Sequence, residues 1–340
     1  MESGQYFKDK KILLIGGTGT VGTGLVRALL EQDVKTIRVL SRDEYKQYIM
    51  MQEMSGIKNI RFLIGDVRDK ERIERAMEDI NIVFHIAAMK HVPSCEYNPM
   101  EAVKTNVIGT QNVITAAINN NVEKVILTST DKTINPTNTY GATKLLAERL
   151  IVSANYYKGT CNTVFSAVRF GNVMGSRGSV IPLFKKQILE SKEITVTDSN
   201  MTRFMMTLSE AVDLTLEACV RAQGGEIFVL KMPVICLKDL VDVTIEEVSK
   251  KYNVNSEEIK IKEIGLRPGE KLYEELMTCE ESKNAVELDR MFVIPSLYSN
   301  KFSGENEGAP LAKVQNYSSH NQIPLTKQEL KELILKEEII

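Results

Sequence analysis

The chain has 340 residues, 43% hydrophobic and 26% charged, with a formal net charge of −2, which fits a large globular core and gives no electrostatic case for nucleic acid. Its five cysteines (Cys95, Cys161, Cys219, Cys236, Cys279) are scattered without a C-x-x-C pair, so a disulfide framework is not expected and a reducing cytoplasm is. Residues 1–11 carry no apolar signal core and no apolar run approaches the ~20 residues of a membrane span, so a cytoplasmic chain without membrane insertion is expected.

Lys11-Ile12-Leu13-Leu14-Ile15 is a short apolar run ending in glycines and predicts a buried parallel strand. Gly16, Gly19 and Gly22 follow, and Val21, Leu25, Leu29 and Leu30 recur at helical period. Further strands are predicted over 36–40, 61–64, 81–86, 124–128 and 163–168, with helices between them, as at 70–78 and 105–119. Such alternation predicts an α/β fold with a doubly wound parallel sheet. Beyond Phe170 the alternation breaks at Arg177-Gly178-Ser179 and over 195–203. A helix over 210–221, a strand over 226–230 and a charged turn at Arg267-Pro268-Gly269-Glu270-Lys271 come next. Residues 299–310, rich in Gly, Ser, Asn and Glu, read as a mobile surface loop. Thr326 with Glu329 makes a capping-box pattern, and Leu330, Leu333 and Ile334 form an apolar stripe. The pattern divides the chain into a Rossmann domain over 1–172, joined by 206–235, and a mainly substrate-binding lobe over 173–340, interleaved with the first.

Glycines between a strand and a helix let the backbone turn tightly and approach a pyrophosphate seated at the helix N-terminus. Gly16, Thr18, Gly19, Thr20, Val21 and Gly22 make up this expected loop. At the end of the second strand an acidic residue would take a ribose 2′-hydroxyl, and an arginine would take a 2′-phosphate. Ser41-Arg42-Asp43-Glu44 offers both. Arg42 comes first and favours NADP, with NAD as the alternative. Asp66 and Val67, after the third strand, are expected at the adenine edge, with helix capping as the competing role for Asp66. Ala87 and Ala88 are small, as a backbone passing close to a cofactor requires.

Two acid–base pairs then fall close together. Tyr140 and Lys144, at i and i+4, share a helix face, where the ammonium can lower the pKa of the phenol. Asp131 and Lys132 add a second acid and a second base. One pair suits alcohol oxidation; two suggest oxidation followed by elimination. Taken singly, each residue reads as packing or solvated surface, and the joint spacing is what argues for chemistry. An Asp131–Lys132 ion pair would hold both groups charged, the wrong form for a donating acid and an accepting base. Neighbouring side chains of extended backbone point apart, so the two are expected to flank a substrate without touching. Lys132 then needs a depressed pKa, from burial or from the Lys144 charge. His85 is expected in the core, His91 packed or at the surface, and His320 exposed. No His, Cys or carboxylate cluster has ligand spacing, so no metal is expected.

These residues resemble the extended short-chain dehydrogenase/reductase family. More narrowly they resemble its UDP-N-acetylglucosamine 4,6-dehydratases, in particular the soluble C5-inverting group that begins pseudaminic acid synthesis. The motifs that carry the resemblance start with Gly16 to Gly22, Ser41 to Glu44, Gly65 to Asp69, Ala87 to Pro93, Ser129 to Lys132 and Tyr140 to Lys144. They continue with Arg169 to Val173, Ser176 to Val180, Met201 to Phe204, Arg267 to Lys271 and Tyr317 to Asn321. The resemblance implies a UDP-N-acetylhexosamine substrate and a homo-oligomer. It implies that Tyr140 takes the C4 hydroxyl proton while Thr130 bonds the same oxygen. Lys132 would then remove the C5 proton, Asp131 would protonate the departing C6 hydroxyl, and hydride would return to C6. Lys90, Asn106, Tyr140 and Lys144 are further expected cofactor contacts.

Arg177, Arg203 and Arg267 are candidates for the diphosphate and uracil, since arginine grips phosphate bidentately. Lys90, His91, Asn172, Gly178, Ser179, Val180 and Glu270 complete the expected substrate contacts. Met89 stands where relatives often carry leucine. Tyr140 is kept where some carry methionine, which does not decide the C5 outcome. Competing readings are a C5-retaining dehydratase and a 4-epimerase or 4-keto reductase, which need only the Tyr140–Lys144 pair. A non-catalytic NADP-sensing protein is a reading of another class.

Overall fold

Apolar runs of Ile, Leu, Val and Phe pair edge to edge at the centre of the computed structural model, which describes residues 3–296 and 308–340. The loop expected over 299–310 lies, up to residue 307, outside the described residues. Nine strands form one sheet: β1 (Lys11–Ile15), β2 (Thr36–Ser41), β3 (Ile60–Ile64), β4 (Ile82–His85), β5 (Lys124–Thr130), β6 (Val164–Phe170), β7 (Ile227–Leu230), β8 (Val286–Glu287) and β9 (Met291–Ile294). Their spatial order is β8-β9-β7-β6-β5-β4-β1-β2-β3. β1 to β7 run parallel, whereas β9 and β8 are antiparallel to their neighbours. Ile12 to Ile15 are fully buried, as a strand covered on both faces requires. The strand order reverses between β1 and β4, and the crevice beyond the carboxyl ends at such a point is where doubly wound sheets bind ligands.

The helices that matter to the site are α1 (Thr20–Leu30), α2 (Glu44–Glu53), α3 (Lys70–Met77), α4 (Gly109–Asn119), α5 (Thr139–Tyr157), α6 (Val180–Ser191), α7 (Leu208–Arg221), α8 (Leu237–Tyr252) and α9 (Lys327–Lys336). The helix expected over 105–119 begins instead as a π-helical turn over Val103–Ile108, ahead of α4. Such wider turns re-aim side chains, and here Asn106 turns inward. Its carboxamide donates to Met89 O and Thr143 Oγ1 at 3.0 Å each and accepts from Met89 N at 2.8 Å. Thr326 and Glu329 form the expected capping box at α9.

β5 and β6 run two residues past their expected ends, so Thr130 pairs with Phe170 and Ser129 with Arg169. Arg169 is fully buried and donates to Glu148 Oε1 of α5 at 2.5 Å, to Glu281 Oε1 at 3.1 Å and to Leu276 O at 2.9 Å. Ser129 Oγ donates to Glu148 Oε2 at 2.6 Å. One guanidinium thus ties β6 to α5 and to the segment around 276–281. A second apolar core gathers Phe184, Ile188, Ile194, Leu240, Val248, Leu330 and Ile334. Short strands over Thr202–Met206 and Val234–Cys236 pair beside it.

Candidate active site

The turn from β1 into α1 leaves no room for side chains. At Gly16, with φ of +87°, an added Cβ would lie 2.7 Å from Ala87 N; at Gly22 it would lie 2.6 Å from Gly17 Cα. Gly17, which the sequence reading did not single out, is equally tight against Val39 at 2.9 Å. The bare backbone, the small Ala87 and the α1 N-terminus make a cradle shaped for a pyrophosphate. Thr18 is buried, and Val21 follows in the first turn of α1.

Arg177 lies against this loop. Its guanidinium donates to Thr18 O, its backbone N–H donates to Thr20 Oγ1 at 3.2 Å, and Lys90 Nζ donates to Arg177 O at 3.1 Å. Sequence reasoning had assigned Arg177 to the substrate phosphates; the loop that carries it instead crosses to the glycine cradle. His91 packs on Gly178, where an added Cβ would meet its Cε1 at 2.6 Å. Ser179 occupies the N-cap position of α6 without a side-chain cap bond, and Val180 begins the helix. Ser41 is buried and its hydroxyl accepts from Gln47 Nε2 at 3.1 Å. Arg42 is 58% exposed at the side chain, and its Nη1 lies 3.8 Å from Asp66 Oδ2. Asp66 accepts from the Arg68 backbone at 2.9 Å and its guanidinium at 2.7 Å; the helix cap is Asp69 instead, which accepts from Arg72 N at 3.0 Å. Val67 packs against Gly109. Ala88 is half-buried beside the crevice. Asn106 spends its carboxamide on Met89 and Thr143, so its part is to hold the loop after β4.

A cavity of about 220 Å³ opens next to the end of β5, lined by Val92, Asp131, Lys132, Thr137, Asn138, Asn172, Arg203, Gly269, Glu270, Lys271, Glu274 and Glu275. Asp131 and Lys132 do not flank it as separate groups. Lys132 Nζ lies 2.9 Å from Asp131 Oδ2 and 3.2 Å from Glu274 Oε1. The expectation of opposed side chains assumed extended backbone, whereas residues Asp131–Thr133 form a 3₁₀ turn that lets adjacent side chains converge. The expected fall of the Lys132 pKa is also reversed. Burial pushes it down, but the Asp131 and Glu274 carboxylates outweigh burial and hold the ammonium charged. Burial pushes the Asp131 carboxyl up, yet the Lys132 charge and the Thr130 hydroxyl, donating at 2.7 Å, bring it below the usual carboxylate range. Glu274 is pushed up by burial and by the facing Asp131 carboxylate.

Tyr140 is buried and its phenol is pushed up to about 12 by burial, against the pull of the Lys132 charge and the Thr130 hydroxyl. Lys144 donates to Thr128 O at 2.7 Å, and burial brings its pKa down to about 8 against the Glu148 charge. The start of α5 is pressed onto the Asp131–Thr133 turn, since a Cβ at Gly141 would stand 2.3 Å from Lys132 O.

Arg203 lies at the cavity with Nε 3.4 Å from Glu274 Oε1, and it donates to Lys271 O at 2.9 Å. Asn172 Nδ2 donates to Glu274 Oε2 at 2.9 Å. Arg267 is exposed and outside the cavity lining, with its N–H donating to Glu270 Oε2 at 3.3 Å. Glu274, Glu275, Lys271, Thr137 and Asn138 escaped sequence reasoning. Their one available signal was acidic Glu274-Glu275 set directly before apolar Leu276-Met277, an unusual place for charge unless it is buried for use. His85 is buried, while His91 and His320 are exposed. Among the described residues, no His, Cys, Asp and Glu group is arranged to hold a metal.

The family described as Polysaccharide biosynthesis protein matches residues 12–296. An uncharacterized membrane protein of Methanocaldococcus jannaschii is 53% identical over 98% of this chain and 97% of its own. The UDP-N-acetylglucosamine 4,6-dehydratase (inverting) of Campylobacter jejuni is 44% identical over 96% of this chain and 98% of its own. The UDP-glucose 4-epimerase of Rickettsia rickettsii is 43% identical over 97% and 96%. The solved structure of Pen from Bacillus thuringiensis is 56% identical and superposes with a TM-score of 0.94 over 99% of this chain and all of that one. Among the described residues no helix is long and apolar enough to cross a membrane.

Proposed function

The chain belongs to the polysaccharide biosynthesis protein family on the extended short-chain dehydrogenase/reductase fold, and from that premise we propose that it is a nucleotide-sugar 4,6-dehydratase. Its substrate in this reading is UDP-N-acetylglucosamine. The product is the UDP-4-keto-6-deoxy-N-acetylhexosamine, with inversion at C5. The observation that carries the reading is that Asp131, Lys132 and Glu274 all line one cavity; the Asp131–Lys132 ion pair holds both in their resting, charged forms, so it must open before either acts. A 4-epimerase, the activity of the Rickettsia relative, has no use for a second acid and base. Burying the carboxyl groups of Asp131 and Glu274 beside an ammonium is costly, and such clusters recur where protons are moved.

The residues at the glycine cradle fit a nicotinamide dinucleotide, because a Cβ at Gly16 or Gly22 would fill the space its pyrophosphate needs. When bound, that group would accept hydride from C4 and return it to C6. Arg42, exposed at the end of β2, supports NADP over NAD. Tyr140 takes the C4 hydroxyl proton. In the resting site Glu274 helps to hold the Lys132 ammonium charged; Lys132 must lose that proton before it can act, and Glu274, at 3.2 Å, is the acceptor in this reading. The neutral amine then removes the C5 proton, which the C4 ketone has made acidic. Asp131 protonates the leaving C6 hydroxyl. Substrate entry expels water and favours neutral over charged partners in the cluster, which aids this redistribution. Arg203 and Lys271, which line the cavity, are the cations for the diphosphate. The chain works as a homo-oligomer in the cytoplasm in this reading.

Incubation with UDP-N-acetylglucosamine and mass analysis tests the reading. Loss of one water is expected. An unchanged mass with a new C4 epimer would establish the epimerase instead. Proton NMR of the product formed in heavy water reports the C5 exchange and configuration.

A further inference from the structure

The Tyr317 to Asn321 motif carries part of the sequence resemblance, yet no step of the mechanism uses it. In the structure it runs antiparallel beside the segment that brings Glu274 to the cavity. Met277 pairs with Tyr317 and Glu275 with Ser318. At the next position Glu274 O accepts from Ser319 N at 2.8 Å, and Glu274 N donates to Ser319 Oγ at 3.0 Å. Beyond that, the Tyr273 and His320 rings lie 5.6 Å apart, centre to centre. The motif therefore follows the chain on both sides of Glu274.

Its own footing is firm. Tyr317 is buried, its hydroxyl accepts from Met232 N at 2.9 Å, and its ring packs on Phe204 at 4.8 Å and Phe292 at 5.1 Å. Ser319 is fully buried. Its hydroxyl, besides accepting from Glu274 N, donates to Thr202 O at 3.3 Å and lies 2.9 Å from Thr202 Oγ1. The same Thr202–Met206 strand serves the carboxylate of Glu274. Arg203 Nε lies 3.4 Å from Oε1, and Asn172 Nδ2, which donates to Phe204 O at 3.1 Å, donates to Oε2 at 2.9 Å. Backbone and carboxylate of Glu274 are thus referred to one strand, and the Ser319 hydroxyl is the link on the backbone side. Leu272 and Tyr273, just before Glu274, are exposed, so burial does not fix the backbone from that direction. A buried N–H without a partner is costly, so loss of that hydroxyl would turn Glu274 N towards another acceptor and carry the carboxylate with it. The carboxylate lies 3.2 Å from Lys132 Nζ, and proton transfer needs hydrogen-bond distance.

We infer that Ser319 is a positioning residue for the elimination step: its hydroxyl pins the backbone of Glu274 so that the carboxylate stays within reach of Lys132. It acts through Glu274 and not on the sugar. The inference rests on the dehydratase reading, in which Glu274 takes the Lys132 proton. Oxidation at C4, which belongs to Tyr140, does not depend on it.

Single-turnover mixing of the enzyme, loaded with oxidised NADP, with UDP-N-acetylglucosamine tests it. Nicotinamide absorbance reports oxidation at C4, and mass analysis of quenched samples reports loss of water. Ser319→Ala is expected to reduce the nicotinamide at the wild-type rate and to lose water about 10–10²-fold more slowly, so that reduced nicotinamide accumulates. Glu274→Gln should show the same split. Adding Ser319→Ala to it should slow water loss no further, because residues that act through one partner are not additive. Ser318→Ala, which removes a hydroxyl that accepts from His320 N at 3.3 Å, should behave as wild type. NADP affinity of each variant checks folding. Water loss at the wild-type rate in Ser319→Ala overturns the inference. So does equal slowing of both phases, a further loss in the Glu274→Gln background, or an equal effect of Ser318→Ala. Those outcomes leave the dehydratase reading standing, whereas a wild type that removes no water overturns that reading and the role of Ser319 with it.

Discussion

Gly141→Ala separates the structure from helix propensity, because the two demand opposite signs. Position 141 lies in the first turn of α5 with no left-handed φ, so propensity alone makes alanine better than glycine by ~1 kcal/mol. The added Cβ, however, would stand 2.3 Å from Lys132 O and 3.0 Å from Pro136 Cβ. A carbon needs about 3.3 Å from a carbonyl oxygen. The start of α5 must therefore retreat by about 1 Å from the turn that bears Thr130, Asp131 and Lys132. Overpacking of this kind costs about 1–3 kcal/mol, so after the propensity gain a net loss of up to about 2 kcal/mol is expected. Tyr140 retreats with the helix, and a 1 Å misplacement costs ~10²-fold in turnover. Dinucleotide affinity should hold, since the glycine cradle lies at the end of β1. Denaturant titration, kcat for water loss and cofactor binding on the same preparation make the assay. An alanine variant as stable as wild type and turning over at the wild-type rate would refute the seating of α5 on the catalytic turn.

Asp131→Asn cannot pass on a carboxyl proton, and water loss should fall by at least ~10²-fold with cofactor binding intact; mass analysis of the product decides, and undiminished dehydration removes Asp131 from the mechanism. Arg169→Leu strands the fully buried Glu148 and should cost about 3–5 kcal/mol in denaturant unfolding. Adding Glu148→Leu and Glu281→Leu should recover part of that loss, and a single-variant cost below about 1 kcal/mol contradicts the account. His85 has its pKa brought down to about 3 by burial and by the Lys144 charge, from a usual 6.5. Between those values the unfolded chain binds more protons, so the contribution of His85 is complete above pH 6.5 and drains away as pH falls towards 3. At ~1.36 kcal/mol per pH unit this amounts to about 5 kcal/mol at pH 3. His85→Gln should lose less stability than wild type between pH 6.5 and pH 4, and identical acid profiles would count against it.

Much of the sheet was legible because its strands are buried on both faces and are therefore written as unbroken apolar runs, as in Lys11 to Ile15 and Ile82 to His85. The glycine cradle was legible for a similar reason, since close backbone approach forbids side chains. The Asp131–Lys132 contact was not. It depends on whether two adjacent residues sit in a strand or in a 3₁₀ turn, and β5 gives way to the turn between Thr130 and Asp131. The bond from Lys144 to Thr128 O was not legible either, because i, i+4 spacing fixes a shared helix face but not which carbonyl the ammonium meets. The contact of Arg177 with the glycine cradle was not legible, because nothing local states which way its loop crosses. Glu274 was invisible for a different reason: its meaning comes from Lys132, and no window along the chain holds both.

The contact between Lys132 and Glu274 closes a loop of 142 residues, and Ser319, further on still, holds the backbone N–H of Glu274 at 3.0 Å. Contacts of such long range are among the last to form as a chain folds. The glycine cradle, by contrast, is assembled from the first ninety or so residues. During renaturation from denaturant, affinity for the dinucleotide should return before sugar chemistry does, leaving a transient species that holds its coenzyme and is otherwise inert. Simultaneous recovery of the two signals would mean that both ends of the polypeptide settle in one concerted event.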